Sequence, residues 1–106
     1  MSRKTSPRSA DDVLNDLGFG DAEELSAKAA LALKLNALID QRGLSQTAAA
    51  AITGMTQPKV SQVRHYNLQN ISLERLMQAL VSLDQRVEII VQPARRAHGA
   101  GISVAV

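Results

Sequence analysis

Ser45, Gly54 and Thr56 lie close together and carry the residue types that start, bend and restart helices. The hydroxyl of Ser45 is placed to accept from the orphan amides of a helix beginning at Gln46, and that of Thr56 does the same for a second helix running through Arg64. Pro58 is tolerated in the first turn of the second helix, because amides there lack intrahelical partners in any case. Two helices joined by so short a turn cross at a steep angle, with a small residue where they touch and a glycine at the bend. Ala50 and Gly54 fit these roles, and the alanine-rich run from Gln46 to Ile52 invites close contact. Met55, Val60 and Val63 then face a core, and the opposite face of the second helix stays outside.

That core has to come from flanking helices. Asp21 with Glu24 three residues on has the form of a capping box, and a long helix is predicted from there to the left-handed stop at Gly43. Leu25, Ala29, Ala32, Leu35 and Ile39 recur at helical spacing, widened by Leu31 and Leu38, with Lys34, Asn36 and Gln41 assigned to the other face. Ser72 caps a further helix bearing Leu73, Leu76, Met77, Leu80 and Leu83, and Ile71 with Leu76 forms a hydrophobic staple. Ahead of these, Ala10 to Leu17 reads as a short helix closed by Gly18-Phe19-Gly20, a turn rather than a phosphate loop because it lacks the Lys-Ser/Thr ending.

Beyond Asp84 the run Val87-Glu88-Ile89-Ile90-Val91 is β-branched and bounded by Pro93, which predicts one strand. A lone strand leaves its ladder unpaired. Its partner is either the tail Ile102 to Val106 or the same strand in a second subunit, and the second is preferred, with Val87, Ile89, Ile90 and Val91 as dimerisation residues. The expected organisation is a flexible arm over 1–9, one domain over 10–93 and a flexible tail over 94–106.

The 106 residues include no cysteine, and the two histidines are His65 and His98, so a disulfide scaffold or Cys/His zinc site lacks its ligands. No Ser, His and Asp arrangement has catalytic spacing, and neither an enzyme nor a cofactor is expected. The N-terminal stretch is polar and basic with no apolar run after it, which points to a cytoplasmic protein without a membrane span. Net charge is only +2, but its distribution is uneven: seven acids and two lysines lie between Asp11 and Asp40, whereas from Gln41 to Leu73 the only charged residues are Arg42, Lys59 and Arg64.

At about 100° per residue, Val60 and Val63 point one way while Pro58, Ser61 and Gln62 point away from them, with Gln57 nearby. Such a polar, uncharged face suits base edges in a major groove, since glutamine pairs with adenine in bidentate fashion and serine serves several bases. Lys59 and Arg64 flank it where cations meet phosphates. Gln46 and Thr47, opening the preceding helix, add contacts to the backbone. Tyr66 has two roles open to it, stacking on sugar–phosphate or packing across a dimer, of which packing is preferred.

In order and spacing, Leu17-Gly18-Phe19, Asp21-Ala22-Glu23-Glu24-Leu25, Arg42-Gly43-Leu44-Ser45-Gln46, Thr56-Gln57-Pro58-Lys59-Val60-Ser61 and Ser72-Leu73-Glu74-Arg75-Leu76 resemble the Cro/repressor-type (XRE) helix-turn-helix family, and within it the HigA-like antitoxins. The resemblance runs from about Val13 to Pro93. It implies an all-α, lambda-repressor-like bundle with one C-terminal β-strand paired across a dimer. It also implies a transcriptional repressor that binds double-stranded operator DNA as a homodimer on inverted repeats, and a HigB/RelE-like toxin as partner. A stand-alone repressor and a protein-interaction module without DNA are the alternatives. The positions expected at DNA are Gln46, Thr47, Thr56, Gln57, Pro58, Lys59, Ser61, Gln62 and Arg64. Two features depart from the family pattern: Thr53 stands where an aliphatic residue is usual, and the loop His65 to Asn70 lacks the usual basic, glycine-bearing turn.

Overall fold

The computed structural model describes residues 21–95 and 99–105, so the expected helix over 10–17 and the arm before it lie outside the described residues. Four helices follow one another among the described residues: α1 (Asp21–Gln41), α2 (Gln46–Thr53), α3 (Gln57–Arg64) and α4 (Leu73–Ser82). Helix α1 packs mainly against α4 and also against α3, while α2 packs against both α3 and α4.

The caps expected at Ser45, Thr56 and Ser72 form. Ser45, Thr56 and Ser72 each have extended backbone, and their hydroxyls accept from Ala48 N, Lys59 N and Arg75 N at 3.0, 3.3 and 3.0 Å. At the C-terminal ends, Gly43 at φ 61° and Gly54 at φ 76° take the left-handed conformation that glycine adopts without steric cost. The amide of Gly54 donates to Ala50 O at 2.9 Å, ending α2 where the sequence places the bend. Met55, Val60 and Val63 are buried with Leu35, Leu38, Ile39, Ala49, Leu76 and Leu80 in one core. Removing an aliphatic side chain of this size from water contributes roughly 1.5–3 kcal/mol. Ile71 and Leu76 are both fully buried, as a staple requires.

Helix α1 departs from its expected stripe. Ala29 is exposed and Leu25 only half-buried, whereas Ala27, Lys28 and Asn36 are buried. Asn36, assigned to the outer face, is 6% exposed. The cause is a hydrogen bond: its Nδ2 donates to Val63 O at 3.0 Å, a carbonyl in the last turn of α3 that also accepts from Tyr66 N at 3.1 Å. Lys28 is buried as well, with Nζ 3.2 Å from Glu24 Oε2 and donating to Leu68 O at 3.3 Å, so α1 also holds the loop after α3.

Residues 87–91 form no ladder among the described residues. Val87 packs against the core, but Ile89, Ile90 and Val91 are 76%, 74% and 91% exposed. The tail does not pair with them as a hairpin; Ile102 N donates to Glu23 Oε1 at 2.9 Å, and Ile102 and Val104 pack partly on the core.

At Gly54 a Cβ would meet only Arg75 Nη2 at 3.7 Å, an ordinary contact, so the constraint there is φ alone. Gly54→Ala is therefore expected to destabilise the fold by about 1–2 kcal/mol. Thermal unfolding followed by circular dichroism checks this, with a fall of roughly 4–8 °C per kcal/mol for a domain this small.

Candidate functional site

Helix α3 is eight residues long and presents two unlike faces. Val60 and Val63 fix its inner face at 1% and 0% exposure. On the outside, Gln57 and Pro58 are exposed, and Ser61 and Gln62 are half-buried. Gln62, expected to point outward with them, turns its Oε1 inward, where that oxygen meets no hydrogen-bond donor among the described residues. The outward surface is thus carried by Gln57, Pro58 and Ser61, together with exposed His65, whose Nδ1 lies 2.8 Å from Ser61 O.

Three contacts set the attitude of α3 on the bundle. The carboxamide of Gln46, the first residue of α2, donates through Nε2 to Gln57 O at 3.1 Å and ties the opening turns of the two helices together. From α4, Arg75 Nη2 donates to Gly54 O at 2.6 Å, which fixes the bend and puts a cation at the C-terminal end of α2, where the helix dipole favours one. At the far end of α3, Asn36 holds Val63 O, and Arg64 Nη1 donates to Asn36 O and Oδ1 at 3.1 and 3.2 Å. Thr47 and Thr56 are exposed at the starts of their helices.

The cations of the acid-free segment differ in how far they are committed. Arg64 pairs with Asp40 Oδ1 at 2.6 Å, and Arg42 donates to Leu83 O at 2.6 Å and reaches Asp84 Oδ2 at 3.3 Å. Lys59 Nζ donates to Asn70 O at 2.8 Å and has no acid partner among the described residues. Its charge is therefore the one of the three left uncompensated. Of the two flanking cations expected from the sequence, Lys59 keeps that character, while Arg64 serves as a brace between α3 and α1.

Asn36, Asp40, Asn70 and Arg75 position this surface and were not among the expected site residues. Asn36 had a sequence signal: at about 100° per residue it lies some 40° from Ala32, inside the buried arc. The others act on groups far along the chain, such as Arg75 on Gly54, and leave no local trace.

Residues 13–92 match the family model described as a helix-turn-helix domain. A solved structure named as an XRE-family transcriptional regulator is 51% identical, superposes with a TM-score of 0.75, and the match covers 82% of this chain and 99% of that one. Comparison with curated proteins gave no match.

Asn36→Leu removes one of two donors to the Val63 carbonyl and the side-chain acceptor of Arg64 in one step. It is expected to cost about 1–3 kcal/mol of stability. Arg64→Ala, which breaks a partly exposed pair, is expected to cost under about 1 kcal/mol. Urea titration of the two variants checks that order.

Proposed function

Because the chain belongs to the XRE family of helix-turn-helix proteins, we propose that it is a DNA-binding transcriptional regulator, a repressor rather than an enzyme, acting as a homodimer on an inverted repeat. The observation that carries this is the outward face of α3: polar, uncharged, exposed at Gln57 and Pro58 and half-exposed at Ser61, and held in place by Gln46, Arg75 and Asn36. In this reading α3 enters the major groove, Gln57 and Ser61 read base edges, and Pro58 makes an apolar contact. Gln46, Thr47 and Thr56 lie at helix starts, where free amides favour phosphate. Lys59 neutralises a phosphate at the groove rim. Gln62 joins the base contacts by turning its carboxamide outward, and Arg64 joins the backbone contacts only by sharing Asp40.

The exposed run Ile89 to Val91 supports a dimer, since an extended apolar segment with an unpaired ladder is matched by a second copy of itself. Antiparallel pairing of residues 87–91 about a two-fold axis sets two α3 helices about 34 Å apart, or a multiple of it, as successive grooves require. The HigA-like resemblance adds an antitoxin role with a HigB/RelE-like toxin as second partner. The acidic region Asp11 to Glu24 would meet a basic partner; Glu23 and Glu24 are engaged within the chain, by Ile102 N and Lys28, which leaves Asp11, Asp12, Asp16 and Asp21 for it. Co-expression with a small basic protein encoded alongside should give a stable complex, and separate elution of the two would end the antitoxin proposal.

DNA binding is tested by titrating the full chain against a duplex carrying an inverted repeat from upstream of its own coding sequence, at several salt concentrations. Specific affinity should fall as salt rises, because phosphate neutralisation releases counterions. Gln57→Ala and Ser61→Ala should each cost about 1–3 kcal/mol against that duplex and little against random sequence. Lys59→Ala should reduce the slope of log affinity on log salt by about 0.9. Specific binding that survives loss of both Gln57 and Ser61 would remove the base-reading assignment.

A further inference from the structure

Three of the four helices end in the same way. After α1, α3 and α4 the backbone closes a paired hydrogen-bond motif: Gly43 N to Asp40 O with Leu44 N to Ile39 O, Tyr66 N to Val63 O with Asn67 N to Gln62 O, and Asp84 N to Val81 O with Gln85 N to Leu80 O. The motif requires a left-handed residue at its centre. Those residues are Gly43, Tyr66 and Asp84, at φ 61°, 58° and 65°. Glycine takes this conformation freely and aspartate is among the side chains that tolerate it, and Asp84 also receives Arg42 at 3.3 Å. A tyrosine there is disfavoured. Its side chain is 46% exposed and makes no hydrogen bond among the described residues.

We propose that Tyr66 is a DNA-contacting residue, its hydroxyl donating to a backbone phosphate beside the groove that α3 enters. This rests on the DNA-binding reading above. Tyr66 follows α3 directly, and Lys59 of that helix donates to Asn70 O, which ties the loop carrying Tyr66 to α3. Tyr66 is surrounded in sequence by His65, Asn67, Gln69 and Asn70, all exposed, polar and uncharged, while Leu68 is buried. A contact with a second protein copy calls for neighbouring apolar surface, which this loop does not offer. A phosphate calls for hydrogen-bond donors without uncompensated acids; no acid lies between Gln41 and Leu73 in sequence, and Asp40, the acid brought to the end of α3, is paired with Arg64. Tyrosine is among the side chains that supply such backbone contacts.

Tyr66 is the only tyrosine, so fluorotyrosine labelling gives one fluorine resonance that reports this site alone. Saturation with the inverted-repeat duplex should shift that resonance, with a midpoint equal to the binding midpoint. Tyr66→Phe should bind about tenfold more weakly, from loss of a hydrogen bond to a charged group. Tyr66→Gly should bind at least as weakly as Tyr66→Phe while melting at or above the wild-type temperature, since glycine relieves the left-handed strain. A purely structural role for the ring would instead lower the melting temperature. Wild-type affinity in both variants, or a resonance unmoved at saturation, would overturn the proposal. A resonance that depends on protein concentration without DNA would assign Tyr66 to contact between copies and overturn it as well. Absence of any specific complex with unmodified protein would instead remove the DNA-binding reading on which the proposal rests.

Discussion

An eight-residue helix has too few internal hydrogen bonds to persist alone in water, and α3 is such a helix. Its outward face exists because its inward face is held. Val60 and Val63 anchor it in the core, Thr56 satisfies an amide at its start, and Asn36 satisfies a carbonyl at its end. Gln46 and Arg75 then fix its angle to α2 by bonding the carbonyls of Gln57 and Gly54. Asn36, Gln46 and Arg75 come from α1, α2 and α4, so the orientation of Gln57 and Ser61 is a property of the whole bundle.

Much of this was legible before any coordinates. Ser45, Thr56 and Ser72 marked three helix starts, Gly43 and Gly54 marked two stops, and Met55, Val60 and Val63 were assigned to the core; all behave so. These signals are local, since a cap or a left-handed glycine acts within a few residues of itself. Partners far along the chain leave no such signal. Asn36 is polar, and apolar periodicity assigns polar residues to solvent, yet it is buried where it donates to the distant carbonyl of Val63. The pairing of Arg64 with Asp40 is likewise absent from local pattern, because the two residues lie on different helices. The segment 87–91 carries a strand's composition, but a ladder needs a partner strand, and composition does not supply one.

The electrostatic character of the site follows from how its charges are spent. Arg42 and Arg64 are paired with acids, and Lys59 alone in the acid-free segment retains an uncompensated charge. On the proposed reading, attraction to phosphate is modest per subunit and discrimination rests on hydrogen bonds from Gln57 and Ser61. Doubling the site through a two-fold axis is then the natural way to gain affinity without adding charge. The same view accounts for a bulky residue in a left-handed turn, where strain borne by the fold places a donor at the surface.

The central claim is that binding falls on α3 and the turns at its two ends. Residue-resolved amide shifts during titration with the inverted-repeat duplex test it most directly. Perturbations should concentrate at residues 46–47 and 56–70 and be small on the exposed side of α1 around Leu33. Perturbations centred on α1 or on the outer side of α4 around Val81, with α3 unmoved, would contradict the account.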